Sequence, residues 1–311
     1  MPWPRPRVTG RQLKQLLRSA VGAWIDDRAA SMGAALAYYT LFSMAPLLLI
    51  ALSVAGMVFG VEAARGEVFA QLRGVVGDGG AAAVEQLLES VDRPGGGPLA
   101  TLLGVGLMLV GATTVFAELQ DALDRIWRAP GRPPGGMWAL LRARVLSFGL
   151  ILGLGFLLLV SMLFSAALAA VQRWWGAWLA DWSLLLQIVN QLSGFVLVMV
   201  MFAMIYKLMP RVRIRWADVW VGAVVTAALF SIGRMLIGAY LATGAVASGF
   251  GAAGSLVAVL VWVYYSAQIF LLGAEFTWAW AHTLGSRCDE ALPTAGEPMP
   301  VPPEMAALRR T

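Results

Sequence analysis

The stretch "ELQDALD" sets three acids, Glu118, Asp121 and Asp124, three residues apart. On a helix that spacing keeps them near one side, and such a set could hold Mg²⁺ and serve phosphodiester chemistry. The next residues, "RIWR", favour a plainer reading, a helix end whose acids pair with Arg125 and Arg128. Glu275, in "IFLLGAEFTWAW", is an acid among apolar residues. A carboxyl in such a setting has a partner or a task. A salt bridge to an Arg or Lys is the simpler explanation, and proton coupling is the functional one. Arg234, in "SIGRMLIG", is the matching cation, placed either to snorkel or to contact an anion or a lipid headgroup. Gln187, Asn190 and Gln191 stand at i, i+3 and i+4, so their amides share one helical face.

Other chemistries lack their residues. A single cysteine, Cys288, excludes an internal disulfide or a thiolate cluster, and a single histidine, His282, excludes a His-pair zinc site. No P-loop, G-x-S-x-G or H-E-x-x-H occurs, so ATPase, serine hydrolase and zincin readings have no core motif. The expectation is no catalytic residue, no metal and no cofactor.

What positions these groups is a bilayer. Of 311 residues 59% are hydrophobic and 13% are charged, about half the charge of an ordinary soluble domain. Six apolar segments, 32–60, 98–117, 146–171, 184–206, 217–241 and 254–281, are each long enough to cross a hydrocarbon core of ~30 Å. They lack alternation, which favours helices over barrel strands. The first run is too long for a signal-peptide core and reads as an uncleaved membrane helix. Of the 23 Lys and Arg, 18 fall in residues 1–31, 118–145, 207–216 and after 281, against four in the alternate connections. The positive-inside rule then puts both termini in the cytoplasm. Topology accounts for the net charge of +5, and specific nucleic-acid binding is not expected.

This topology predicts two polar layers. Tyr38, Tyr39 and Ser43, in "AALAYYTLFSMAPLLLIAL", begin the first span on the inner side, near Glu118 at the end of the second. Glu275 lies ~10 Å inside the last span, with Gln268 two turns further out. Pro46 frees the Phe42 carbonyl, which a hydroxyl or water must satisfy. The outer layer holds Gln187, Asn190, Gln191 and Arg234. Arg234 and Glu275 differ in depth by ~15 Å and do not pair.

Outside the spans, residues 11–28 place Leu13, Leu16, Leu17, Val21 and Trp24 at helical spacing between basic residues, as an amphipathic helix on the inner leaflet does. The division is therefore a cytoplasmic segment 1–31, a membrane domain 32–284 with an external loop 61–97, and a proline-rich tail 285–311 with too little apolar surface to fold alone.

"GAALAYYTLFSMAPLLL", "ELQDALDRIWRAP", "YKLMPRVRIRWADVWVGAVVTAALF" and "GAAGSLVAVLVWVYYSAQIFLLGAEF", in that order, resemble the YihY/virulence factor BrkB family. The resemblance covers roughly Trp24 to His282. It implies a bacterial inner-membrane protein of about six helices whose inherited label, ribonuclease BN, is regarded as a misassignment. The expected function is to move, or help move, a lipid or another amphipathic envelope component. The alternatives are a non-transporting scaffold for envelope machinery and a membrane-associated, metal-dependent nuclease. The expected partners are membrane lipids and either a second copy of the chain or an envelope protein.

Overall fold

The computed structural model describes residues 9–62, 65–66, 68–70, 81, 85, 114–129, 183–242 and 254–288, and among them it contains helices and turns but no strand. The helices are α1 (Gly10–Asp26), α2 (Ala29–Phe59), α3 (residues 114–126), α4 (Ser183–Leu208), α5 (Trp216–Ala242) and α6 (Gly254–Thr283). Stretches of α4, α5 and α6, namely Gln191–Leu208, Trp216–Tyr240 and Leu256–Thr283, are long and apolar enough to cross a membrane by length and composition. The expected span 32–60 is α2, which runs on through Pro46. Span 146–171, most of 98–117, most of the loop 61–97 and the tail from 289 onward lie outside the described residues.

The centre is α6, which packs along α5, α2 and α1, while α5 also packs along α4. The antiparallel α5–α6 seam is close because each helix offers a glycine to the other's threonine. A Cβ on Gly222 would lie 1.8 Å from Thr277 Oγ1, and one on Gly273 would lie 2.0 Å from Thr226 Oγ1. Both threonine hydroxyls donate to carbonyls one turn back in their own helix, Thr226 to Gly222 and Thr277 to Gly273, so neither remains unsatisfied in an apolar setting. Tyr206 of α4 reaches the same seam and donates to the Phe270 carbonyl at 2.7 Å, 3.1 Å from Thr226 Oγ1.

The four basic segments meet at one end of this bundle. The α5 start is tied to the α6 end by Asp218, which accepts from the Ser286 hydroxyl and N–H. Asp124 of α3 pairs with Arg211 beyond α4 at 3.3 Å and accepts from the Arg211 N–H at 2.8 Å. Gln120 donates to the Met209 carbonyl at 3.1 Å, and Arg287 beyond α6 donates to the Arg213 carbonyl at 3.2 Å. The α1–α2 corner closes against the same end through Asp27 and Arg128.

Two left-handed arginines shape this end. Arg128 (φ 50°) follows α3 where glycine is usual; its N–H bonds the Arg125 carbonyl and the Ala129 N–H bonds the Asp124 carbonyl, a Schellman closure. Arg28 (φ 55°) turns the chain from α1 into α2, with its N–H on the Ile25 carbonyl. A left-handed non-glycine residue costs roughly 1–2 kcal/mol. Arg28 is exposed, so its strain serves the turn alone. Arg28→Gly is therefore expected to raise the melting temperature in detergent by about 2 °C, as read by a thermal unfolding scan.

At its N-terminus α1 is capped by Thr9, whose N–H and hydroxyl both donate to Gln12 Oε1. Its apolar stripe divides: Leu16 and Ala20 are buried in the core, whereas Leu13, Leu17, Val21 and Ile25 are exposed. The helix is thus part of the packed body, with a free apolar edge suited to lipid.

Candidate functional site

The unusual chemistry sits where the α1–α2 corner, the end of α3 and the last turns of α6 converge. Glu275 is completely buried, and among the described residues no fixed donor gives a hydrogen bond to either of its carboxyl oxygens. It faces the carboxyl of Asp27, which is itself 7% exposed. Asp27 Oδ1 lies 3.0 Å from Arg128 Nη1, while Asp27 Oδ2 and Arg128 Nε are buried without a hydrogen-bond partner. The indole N–H groups of Trp24 and Trp127 are likewise buried and unpartnered. Trp24 precedes Asp27 by one turn of α1, and Trp127 adjoins Arg128.

The guanidinium of Arg128 lies 5.8 Å above the Trp278 ring, one turn beyond Glu275 on α6, which favours a charge removed from water. The Trp278 ring also packs, tilted, against His282 at 4.6 Å between centroids, and the His282 Nδ1 lies 2.9 Å from the Trp278 carbonyl. Arg287 covers Trp127 at 5.8 Å. Burial holds the Asp27 carboxyl above the ordinary carboxylate range; Arg128 and contact with Glu275 pull it back down, but desolvation is the larger effect.

Of the residues expected near Glu275, Gln268 lies on the same helix two turns outward. Its Nε2 donates to the carbonyls of Ala29 and Ala30 at 3.4 and 3.5 Å, against Gly33, where a Cβ would meet that nitrogen at 2.0 Å. Tyr38 is exposed and packs edge-on against Tyr39 at 5.5 Å and against Phe42 at 4.7 Å. These tyrosines stand about 14–15 Å along α2 from its first residue, beyond the corner that holds Asp27. The inner layer around Glu275 is therefore built by Asp27, with the tyrosines three turns further on. Ser43 donates to the Tyr39 and Thr40 carbonyls at 2.9 and 3.2 Å, so its hydroxyl serves those rather than the Phe42 carbonyl.

The "ELQDALD" acids do not converge on a metal. Asp124 holds Arg211, and Glu118 is half-buried about 12 Å along α3 from the helix end. Among the described residues no group of three or more His, Cys, Asp or Glu is placed to hold an ion. Local pairing of Asp124 with Arg128 is also replaced, because the left-handed turn sends Arg128 to Asp27.

In the outer layer Arg234 and Gln191 are both exposed. In an antiparallel pair turning between Leu208 and Trp216, they come to the same level. Gln187 and Asn190 lie on α4, where only their backbone is described.

Comparison with known proteins matches residues 20–295 to the family model described as Virulence factor BrkB. The relatives include UPF0761 membrane proteins of Tolumonas auensis (26% identical; 57% of this chain and 56% of the relative covered) and Stenotrophomonas maltophilia strain R551-3 (27%; 82% and 58%). A third, from Aeromonas salmonicida, is 27% identical over 81% of this chain and 83% of the relative. The chain thus spans little more than half the length of the first two. No solved structure matches it. With an all-helical body, three strongly apolar helices and a family match over most of its length, this membrane protein belongs to the Virulence factor BrkB family.

Proposed function

We propose that this chain is a multi-pass protein of the bacterial inner membrane that moves, or helps move, an anionic lipid or similar amphipathic envelope component. The observation that carries the reading is Arg234. It is exposed on α5 about 12 Å from the helix end, amid Ile232, Met235 and Leu236, which are 57%, 72% and 62% exposed. A guanidinium set in an exposed apolar surface complements a phosphate carrying hydrocarbon: charge-assisted hydrogen bonds to the headgroup, dispersion contacts to the chains. Gln191 at the same level adds a neutral hydrogen-bonding group.

The buried acids at the other end supply a place for ion coupling, with Glu275 as the coupling group. No catalytic step is assigned to the protein. Its partners in this reading are membrane lipids, with both termini in the cytoplasm.

The test is mass spectrometry of lipid retained through mild purification, together with lipid movement in proteoliposomes. Arg234→Ala is expected to lower selective retention of anionic lipid and its movement by about tenfold, the worth of one charge-assisted contact of about 1.4 kcal/mol. Arg234→Lys should keep part of both. Retention that mirrors bulk membrane composition in wild type and variant alike would turn the assignment towards a non-transporting scaffold.

A further inference from the structure

Asp27 and Glu275 are two buried carboxyls facing each other, and the half-buried guanidinium of Arg128, over Trp278, pairs with Asp27. With both acids ionised the set carries one net negative charge in a site away from water, and two carboxylates face each other. One added proton makes it neutral and converts the carboxyl–carboxyl contact into an O–H···O hydrogen bond. Among the described residues the Glu275 oxygens accept no hydrogen bond from a fixed donor, so a carboxyl hydrogen supplies what their surroundings lack. A proton also adds no volume, which matters where Glu275 has no accessible surface.

We infer that the Asp27–Glu275 pair is a binding site for a single exchangeable proton, loaded from the basic end of the bundle and held with Arg128 as counter-charge.

The other charged groups acting on the pair are Arg125 of α3 and Asp26 of α1, both exposed, and neither lies in α2, α4 or α5. His282, two turns along α6, is engaged with the Trp278 carbonyl. Loading is a simple transfer: a hydronium or buffer acid at the basic end gives up its proton, and an O–H bond forms on one carboxylate of the pair. Asp27 is the entry, since it adjoins the exposed Asp26, while Glu275 lies behind it with no surface of its own. Because Asp27 closes α1 and lies two residues before the start of α2, the proton also bears on how firmly that corner is held to α6. Loss of the proton leaves an uncompensated charge at the joint.

This site stands whether or not the protein carries lipid. Infrared spectroscopy of the full chain in nanodiscs, in H₂O and D₂O near pH 7, reads it directly. The wild type is expected to show one protonated-carboxyl C=O band that shifts on deuteration. Glu275→Gln should remove it. Asp27→Asn should shift the band, because Glu275 then loses the carboxyl it faces. Both substitutions preserve shape, and size-exclusion elution checks the fold. A wild type without the band overturns the inference, as does a band that survives Glu275→Gln or is unmoved by Asp27→Asn. A wild-type band lost in Glu275→Gln and shifted in Asp27→Asn, in a protein that moves no lipid, upholds the proton site and defeats the carrier reading.

Discussion

Gly273→Ala is expected to disrupt the protein more than any other substitution of comparable size. The added carbon would meet Thr226 Oγ1 at 2.0 Å, Tyr206 Oη at 2.7 Å and Thr226 Cβ at 2.8 Å, so three atoms on two other helices must yield at once. Overpacking of a filled core costs about 1–3 kcal/mol. Displacing Tyr206 adds the loss of its bond to the Phe270 carbonyl, about 1 kcal/mol with the carbonyl left buried. Gly222→Ala makes the reciprocal clash with Thr277. The outcome is read as detergent melting temperature and yield of monodisperse protein. Thr226→Ala should partly rescue Gly273→Ala and leave Gly222→Ala unimproved, because the two notches are separate contacts. Equal rescue of both would show that general loosening, and not this geometry, sets the stability.

The second large effect is expected at Arg128. Replacing it with Met keeps much of the packing on Trp278 but removes the cation paired with Asp27. Arg128 is itself half-buried, so breaking the pair costs somewhat less than the ~3–5 kcal/mol of a fully buried one. The pH dependence has a definite sign. In the folded protein Asp27 binds its proton more readily than in the unfolded chain, owing to burial. Folding is therefore favoured below the unfolded Asp27 value, and that contribution is lost as pH rises through the folded one. Without Arg128 the folded value moves further up, so Arg128→Met should lose most stability at neutral and alkaline pH and recover toward acid pH. Adding Asp27→Asn should restore much of the loss at neutral pH. Melting curves of the single and double variants across that range check both statements, and a loss independent of pH would mean that packing, not charge, is what Arg128 supplies.

Much of the architecture could be read along the chain because it follows from composition. A run such as "LVAVLVWVYYSAQIFLLGAEF" has too much apolar surface for any state but a long buried helix, and α6 duly covers it. The alternation of basic connections was equally plain, and the structure brings those connections to one end. Glu275 was visible as an acid in an apolar setting. Its partner was hidden because Asp27 lies in a segment whose pattern announces only an amphipathic helix. Whether the last polar residue of such a helix turns inward depends on the corner that follows, here the left-handed Arg28. Arg128 was misassigned for a related reason: i, i+4 pairing is a rule for residues within a helix, and Arg128 stands just past the end of one. The α5–α6 notches left no local trace. A glycine is informative there only together with a threonine on another helix at the matching level, and single-sequence spacing cannot supply that register.

The reciprocal notches also determine where motion can occur. Sliding α5 past α6 by one turn would drive Thr226 and Thr277 out of their glycine hollows and into side chains, so the two helices form a fixed frame. α1 and α2 also pack along α6, with Gln268 set against Gly33 and with Asp27 facing Glu275 at the α1–α2 corner. Spectroscopic labels on α5 and α6 should therefore report a constant separation under every condition, and a label near Arg28 should report any change. Distances between those two places would read any movement of the α1–α2 corner against the frame.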